Sequence, residues 1–285
     1  CYEKQYQQEV ILVVSNPVFF KNKSSKDKHS KDKLCNNKSS ENKQFIVVVP
    51  AAGVGKRMLA SCPKQYLTID NQTILSHTIN RLLSHKNIAK VILALSDEDA
   101  YFAQTTLANN PNIIRVSGGN ERVDSVLSGL QVVNNIEWVL VHDAARPCIT
   151  HNDIDKLIEH CLAHNSGGVL AAPVVDTMKL AIKNNTNEAN IANEANEAMQ
   201  VSETIDRSNL WHAFTPQMFK VKELKQAIEQ AQAKGLKITD ESSAIESIGL
   251  PCLLVSGRRD NIKITRPEDL VLASFYLKQQ LESIC

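Results

Sequence analysis

The chain has 285 residues, of which 43% are apolar, and this content is sufficient for one large α/β domain or two small ones. It excludes a fully disordered or fibrous protein. The formal net charge is only +1, so the overall charge does not favour a protein that wraps nucleic acid or lies on an anionic membrane. We therefore expect neither nucleic acid nor a membrane as a partner.

The first 44 residues differ in composition from the rest of the chain. They hold nine Lys residues against five acidic ones, a net charge of +4, and residues 21–44 are almost entirely Lys, Asn, Ser and Asp. Such a segment cannot bury enough apolar surface to offset its chain entropy, so we predict a disordered extension over residues 1–44. Removing this +4 from the total of +1 leaves −3 for residues 45–285, which are expected to form the folded domain.

The extension contains one apolar run, at residues 10–14. A bilayer span needs about 20 apolar residues and a signal peptide about 7 to 15, so this run is too short for either. An organelle transit peptide, a lipidated Cys1 and a plain extension remain open, and the composition favours the last. Seven cysteines at scattered spacings, without a C-x-x-C pair, indicate neither a disulfide framework nor a zinc site and are typical of the cytoplasm.

From residue 45 onward, short apolar runs alternate with amphipathic patterns. The runs are continuous, as expected for strands buried on both faces of a parallel sheet. They stand at residues 46–49, 91–95, 138–141, 168–172 and 252–255. Apolar residues at helical spacing stand at 74–83, 123–130 and 224–231. This order predicts a doubly wound, mostly parallel α/β sheet that binds ligands outside the carboxyl ends of its strands.

Polar and turn-forming residues mark the connections. Residues 69–72 read Ile-Asp-Asn-Gln and predict a turn. Thr150 with Asp153 predicts a helix start, and so does Thr265 with Glu268, around Pro267. These pairs match the capping box and the preference for Pro in the first helical turn.

Residues 183–203 interrupt the alternation with an Asn-Glu-Ala repeat that has almost no core-forming residues. We predict a protruding arm or mobile loop there.

The strongest functional signal follows the first strand, where residues 49–58 read Val-Pro-Ala-Ala-Gly-Val-Gly-Lys-Arg-Met. Small residues with two glycines allow backbone N–H groups to approach phosphate oxygens. Met58 at the third glycine position disfavours a Rossmann dinucleotide fingerprint, and Arg57 after Lys56 excludes a Walker loop. With Lys64, the loop holds three cations, which favours triphosphate binding over the alternative of solvated surface charges.

A metal site built from side chains is not indicated. His160 and His164 stand four residues apart in a predicted helix, which is a spacing that metal ligands use. Without the Glu of an H-E-x-x-H motif or a nearby third ligand, ordinary surface histidines are the favoured interpretation.

Several segments together resemble the 2-C-methyl-D-erythritol 4-phosphate cytidylyltransferase family of the non-mevalonate isoprenoid pathway. Beyond 51–58 and 63–64, they are residues 118–125, 141–147, 172–179, 204–207, 211–217, 239–244 and 261–267. The resemblance runs in unbroken order over about residues 45–278. It implies a Rossmann-like nucleotidyltransferase fold and transfer of CMP from CTP to a sugar-alcohol phosphate. It also implies a homodimer formed through the arm, at about residues 176–207.

The resemblance also implies roles for individual residues. Arg57 and Lys64 would contact the triphosphate and the transition state, assisted by Lys263 at the α-phosphate. Mg²⁺ or another divalent cation would be held mainly by the phosphates, with no dedicated protein ligands. The cytidine-binding residues would be Ala51, Ala52, Gly53, Gly119, Asn120, Ser125 and Asp143.

The acceptor would be bound by Asp143 and Arg146, and its phosphate by Thr177 and Arg207 across the dimer interface. Family members often have Asp at position 120, so Asn120 is expected to contribute backbone contacts. Two alternatives stay open. A ribitol-5-phosphate cytidylyltransferase shares the glycine loop and the Asp-Ala-Ala-Arg-Pro segment, and a catalytically silent nucleotide-binding module would require loss of a catalytic cation.

Overall fold

The computed structural model describes residues 43–53, 62–183 and 199–282. Nearly all of the predicted extension, the tip of the predicted arm and the candidate catalytic residue Arg57 lie outside these ranges. The strands are β1 (Phe45–Pro50), β2 (Thr68–Ile69), β3 (Gln72–Thr73), β4 (Ile88–Leu95), β5 (Ile113–Ser117), β6 (Trp138–Val141), β7 (Gly167–Pro173), β8 (Met178–Lys183), β9 (Met199–Ile205), β10 (Trp211–Lys220) and β11 (Cys252–Ser256). The helices are α1 (Ile74–Leu83), α2 (Arg122–Gln131), α3 (His151–His164), α4 (Val221–Ala233), α5 (Glu241–Ser247) and α6 (Pro267–Glu282).

Seven of the described strands form one sheet in the order β11-β7-β10-β6-β1-β4-β5. Strand β1 pairs in parallel with β4 and β6, and the pairs β4–β5 and β7–β11 are also parallel. Strand β10 runs antiparallel to both β6 and β7. The prediction of a mostly parallel sheet is confirmed. The chain leaves β1 toward β4 on one side and later returns to β6 on the other, which creates a topological switch point beside β1.

Alternate residues of β1 pack against helices on opposite faces of the sheet. Val47 and Val49 belong to a core with residues of α1 and α3, and Val48 belongs to a second core with residues of α2 and α4. All three valines are fully buried. Because successive side chains of a strand point to opposite faces, a continuous apolar run requires cover on both sides. The helices supply that cover, so the sheet is doubly wound.

The five predicted strand runs are all strands, but the predicted burial of β11 was wrong and two strands of the seven-stranded sheet escaped prediction. Strand β11 is not buried on both faces, because it lies at the sheet edge and Leu254 is 53% exposed. Strands β5 and β10 were not predicted. Pro216 lies within β10, where a Pro argues against a strand, and the ladder with β7 shifts register between Ala213 and Gln217 at this point.

Both predicted helix starts are confirmed, but the carboxylate that caps the second helix differs from the predicted one. The Thr150 hydroxyl accepts a hydrogen bond from the backbone N–H of Asp153 at 3.2 Å and caps α3. At the start of α6, the carboxylate of Asp269, and not that of Glu268, accepts the N–H of Thr265 at 2.7 Å. Glu268 points outward instead and pairs with Arg266 at 3.9 Å, with both side chains largely exposed.

Two hairpins complete the described fold. The predicted turn at residues 69–72 joins β2 and β3, and Asp70 and Asn71 adopt φ angles of 46° and 65° there. Strands β8 and β9 pair antiparallel and form the two sides of the predicted arm, which we call the β8–β9 hairpin. Most of its side chains are exposed, as the polar sequence predicts. Within the described ranges, none of the helices combines the length and apolar character needed to cross a membrane.

Candidate active site

A cavity of about 180 Å³ opens at the carboxyl ends of the parallel strands β1, β5 and β6. It is lined by Pro50, Ala51, Ala52, Gly53, Lys64, Gln65, Gly119, Asn120, Glu121, Arg122, Ser125, Asp143, Ala144, Ala145 and Lys263. The position is where an open α/β sheet binds ligands, next to its switch point. Nine of the residues predicted for the site are among those that line the cavity.

The first wall is the backbone that follows β1. Ala51 is tied to the sheet by its N–H, which donates to the carbonyl of Ala94 at 2.8 Å. Its own carbonyl accepts from the side-chain amide of Gln65 at 2.7 Å, and Gln65 is only 3% exposed. Gln65 therefore fixes the strand end against the segment that carries Lys64, a support that sequence reasoning missed although the residue stands beside a predicted catalytic lysine.

The opposite wall is the turn before α2, where two glycines allow close packing. A Cβ atom added to Gly118 would lie 2.3 Å from the Cβ of Ala52, and one added to Gly119 would lie 2.1 Å from the Cβ of Asp124. The N–H of Gly119 donates to the Ser125 hydroxyl at 3.1 Å. A side chain at Gly118 would push the two walls apart, and one at Gly119 would collide with the start of α2, so the residues leave a narrow slot lined by backbone and small side chains.

The floor of the cavity is organised around Asp143, which lies two residues after the end of β6 and is 6% exposed. Its Oδ1 accepts from Arg122 Nε at 2.9 Å, and its Oδ2 lies 2.9 Å from Lys263 Nζ and 3.5 Å from Arg146 Nε. Burial by itself favours the neutral carboxyl, but the charges of Arg122, Lys263 and Arg146 outweigh it and hold the pKa of Asp143 well below its ordinary value. Asp143 is therefore a carboxylate at all working pH values.

A buried chain of hydrogen bonds fixes the backbone at Asp143. The N–H of Asp143 donates to the Thr215 hydroxyl at 2.9 Å, and that hydroxyl lies 3.1 Å from Nδ1 of His142. His142 Nε2 lies 3.1 Å from the Arg146 carbonyl, which can only accept, so Nε2 carries the proton and Nδ1 accepts from Thr215. Burial lowers the pKa of His142 to about 4, which keeps this neutral tautomer in place near pH 7.

Arg146 is more buried than the other two cations around Asp143 and lines a second, adjoining cavity together with Arg122, Asp143 and Lys263. Its Nη1 donates to the carbonyl of Asn261 at 2.7 Å, and its guanidinium lies 5.2 Å from the ring centre of Phe214. Burial lowers the pKa of Arg146, and Asp143 opposes this effect. The residue presents a planar cation on an aromatic face, a geometry suited to binding a phosphate or a polyol.

The segment before α6 brings Lys64 and Lys263 to the same cavity. Lys64 Nζ donates to the carbonyl of Ile264 at 3.0 Å, and the N–H of Ile264 donates to the carbonyl of Ala145 at 2.9 Å. The neighbouring Lys263 is 37% exposed at its side chain and faces Asp143. Lys64 and Lys263 are 199 positions apart in sequence but lie at one cavity.

Besides Arg146, two predicted residues in the described part of the chain do not line this cavity. Thr177 and Arg207 are exposed at the base of the β8–β9 hairpin, and Arg207 donates to the carbonyl of Val175 there. Arg57 lies outside the described residues, so the structure does not position it.

The structure also reveals site residues that sequence reasoning did not single out. Arg122 connects Asp143 to Glu241, and Thr215 holds the backbone of Asp143. Arg122, Glu241 and Thr215 all lie within the quoted motifs, and the charges of Arg122 and Glu241 were the signal available. Their pairing across 119 positions was not readable from spacing.

The described part of the chain contains no group of three or more His, Cys, Asp or Glu side chains arranged to hold a metal ion. His160 and His164 direct Nδ1 to backbone carbonyls one turn earlier and stack on one another, as surface histidines do. The carboxylate in the floor of the cavity, Asp143, is already engaged by three cations.

Comparison with known proteins places this arrangement in a family. The family model described as 2-C-methyl-D-erythritol 4-phosphate cytidylyltransferase matches residues 45–279. A protein of that name from Colwellia psychrerythraea is 59% identical over 241 residues, which cover 83% of this chain and 96% of the relative. Its counterpart from Vibrio parahaemolyticus is 53% identical, with 85% and 99% covered.

Solved structures agree with the sequence comparison. The crystal structure of the Francisella tularensis 2-C-methyl-D-erythritol 4-phosphate cytidylyltransferase superposes with a TM-score of 0.67 at 32% identity, covering 82% of this chain and 99% of the other. A crystal structure of 4-diphosphocytidyl-2C-methyl-D-erythritol synthase gives the same TM-score and identity. The fold is thus the Rossmann-like nucleotidyltransferase fold, and this chain belongs to the 2-C-methyl-D-erythritol 4-phosphate cytidylyltransferase family.

Proposed function

We propose that the chain transfers CMP from CTP to 2-C-methyl-D-erythritol 4-phosphate, giving 4-diphosphocytidyl-2-C-methyl-D-erythritol and pyrophosphate in isoprenoid precursor biosynthesis. An oxygen of the acceptor phosphate forms a bond to the α-phosphorus of CTP as the bond to the β-phosphate oxygen breaks. The observation that carries the proposal is that one cavity holds both a narrow slot of small residues and the charged side chains of Lys64, Lys263 and Asp143.

The slot accounts for the nucleoside. Backbone groups of Ala51, Ala52 and Gly53 lie on one side of it, and Gly119, Asn120 and Ser125 lie on the other. A pyrimidine offers donors and acceptors along one short edge, which closely spaced backbone N–H and C=O groups can match. A larger purine would require a wider separation of the walls than the close approach of Gly118 to Ala52 gives.

The cations account for the chemistry. Nucleotidyl transfer requires two polyanions to approach each other while charge builds at the α-phosphorus, so fixed positive charge is the main catalytic requirement. Lys64 and Lys263 supply it within the described cavity, and Arg57 adds to it from the glycine loop. Asp143 and Arg146 are assigned to the ribose and the acceptor, because one is a fixed carboxylate that accepts hydroxyl hydrogen bonds and the other a planar cation beside it.

A divalent cation, Mg²⁺ or a similar ion, would be held by the phosphate oxygens of CTP and by water, since the carboxylate in the cavity floor is occupied by Arg122, Lys263 and Arg146. The ion would screen the phosphate charges. Binding therefore requires no cluster of protein ligands.

The active form is a homodimer in which the β8–β9 hairpin reaches a second subunit. Exposed apolar residues on this hairpin support the assignment, with Leu180 and Ile182 about 50% exposed and Val201 62% exposed. Apolar surface of this kind favours burial against a partner. Thr177 and Arg207 do not line the cavity of their own chain, which is consistent with a role at the partner's acceptor phosphate, and the free cysteines suit the cytoplasm.

An acceptor panel tests the reaction. The pure protein is incubated with CTP, Mg²⁺ and either 2-C-methyl-D-erythritol 4-phosphate or ribitol 5-phosphate, and pyrophosphate is measured. We expect release with the first acceptor. Release with ribitol 5-phosphate alone would assign the sister activity, and release with neither would leave a nucleotide-binding module.

A complementation assay tests the shared site. Arg57→Ala and Arg207→Ala are each expected to be nearly inactive alone, whereas a mixture contains dimers in which one site keeps both arginines. Partial recovery of turnover is the expected result. If mixed dimers are demonstrated by mass spectrometry and turnover does not recover, Arg207 does not act across the interface.

A further inference from the structure

Glu241 is a buried carboxylate that does not line the cavity. It is the first residue of α5, its side chain is 2% exposed, and it receives two hydrogen bonds from Arg122, from Nη1 at 2.6 Å and from Nη2 at 3.1 Å. A buried charge is retained only when it is paired and hydrogen-bonded, and the fork of a guanidinium satisfies both carboxylate oxygens. Glu241 therefore fixes the orientation of Arg122.

Arg122 then orients Asp143. With Nη1 and Nη2 engaged by Glu241, its Nε is directed at Asp143 Oδ1 at 2.9 Å. This contact turns the other oxygen, Oδ2, toward Lys263 at 2.9 Å. A planar guanidinium held at two points has little freedom at the third, so the three side chains behave as one unit.

The arrangement also sets how much positive charge the cavity presents. Glu241 and Asp143 together offset two of the three cations Arg122, Arg146 and Lys263. Without the charge of Glu241, Arg122 could turn into the cavity, where it is already 27% exposed, and compete for the phosphates or draw Asp143 away from Lys263. Either change would misplace the cation assigned to the α-phosphate.

We propose that Glu241 is a positioning residue for nucleotidyl transfer, acting through Arg122 to hold Asp143 and thereby Lys263 in their productive arrangement. The inference rests on the proposed function. Glu241 touches neither substrate, so we expect its replacement to lower kcat only when Asp143 is present.

A double-mutant cycle tests this dependence. Pyrophosphate release gives kcat and the KM for CTP in wild type, Glu241→Gln, Asp143→Asn and the double variant. We expect Glu241→Gln to lower kcat at least about tenfold in wild type and less than about twofold in the Asp143→Asn background, because the effect passes through Asp143. Glu246→Gln removes the same charge from an exposed site on α5 and is expected to change kcat by less than about twofold.

The proposal would be overturned if Glu241→Gln lowered kcat by the same factor in wild type and in the Asp143→Asn background. It would also be overturned if the kcat of Glu241→Gln lay within twofold of wild type. If Glu241→Gln does not fold, Glu241→Asp replaces it, since it keeps the charge but shortens the side chain by one methylene. Failure of both variants to fold would show that Glu241 serves the fold and not Asp143.

A second measurement separates this proposal from the proposed function. Absence of pyrophosphate release by the wild type would overturn the proposed function. The contact of Arg122 Nε with Asp143 is measured independently of turnover, by the Nε–H resonance of Arg122 in a ¹H–¹⁵N spectrum. We expect a protected resonance in wild type and in Glu246→Gln, and its loss in Glu241→Gln. A protected resonance in Glu241→Gln would contradict the inference whether or not the enzyme turns over.

Discussion

Replacement of Asp143 by Asn tests whether the floor of the cavity is held by charge. The change keeps the shape of the side chain but leaves Arg122, Lys263 and Arg146 around a neutral amide. At an effective dielectric constant of about 20, each 2.9 Å contact is worth about 6 kcal/mol before desolvation is subtracted. Removing one partner of a buried pair costs about 3 to 5 kcal/mol in total, and we expect the lower value because Arg122 and Lys263 are partly exposed.

The assay is chemical and thermal unfolding followed by circular dichroism. A loss of about 3 kcal/mol corresponds to a fall in Tm of about 6 to 12 °C for a domain of this size. The matched control is Asp70→Asn. Its ion pair with Lys278 is exposed and 3.5 Å long, so we expect a change below about 0.5 kcal/mol.

The stability difference between wild type and Asp143→Asn should also depend on pH in a definite direction. The pKa of Asp143 in the folded protein lies below its ordinary 3.8, so its contribution is present above about pH 4 and is lost as the pH falls through the folded value. The stability difference between wild type and Asp143→Asn should therefore stay constant from pH 5 to 8 and shrink only at more acidic pH. A difference below about 1 kcal/mol at pH 7, or one that changes between pH 5 and 8, would refute the reasoning.

Three further predictions concern the surroundings of this residue. Lys64→Ala should lower kcat at least about a hundredfold while the protein stays folded, measured by pyrophosphate release; near-normal turnover would remove Lys64 from catalysis. Gly119→Ala should destabilise the fold by about 1 to 3 kcal/mol in urea unfolding, because its Cβ would lie 2.1 Å from that of Asp124, whereas Gly53→Ala, whose Cβ meets no atom of the described residues within 4 Å, should not. Since the pKa of His142 is lowered to about 4, stability depending on the neutral ring is lost as the pH falls below about 6.5. The advantage of wild type over His142→Asn should shrink by about 2 kcal/mol from pH 7 to pH 5, and an unchanged advantage would contradict the buried tautomer.

Most of the framework was predictable from local sequence. Continuous apolar runs such as residues 46–49 specify buried strands because both faces must be covered, and Thr150 specifies a helix start through its own hydroxyl. The glycine loop after β1 could be placed at the ligand-binding edge because all parallel strands of such a sheet end there. The family resemblance rested on the same local motifs, and the family is confirmed.

Tertiary structure decided what local sequence could not. The alternation of runs does not reveal that β10 enters the sheet antiparallel between β6 and β7, since Pro216 interrupts its pattern. The ion pairs that join Glu241, Arg122 and Asp143 likewise cannot be predicted from sequence spacing, because the charges meet only when α5, α2 and the end of β6 pack together. The sequence by itself determined five strands of the sheet, the ligand-binding role of the segment after β1 and the family, since each depends on neighbouring residues. Only the folded chain decided which cations are held and by which carboxylates, because Coulomb interactions depend on distance in space and not along the chain.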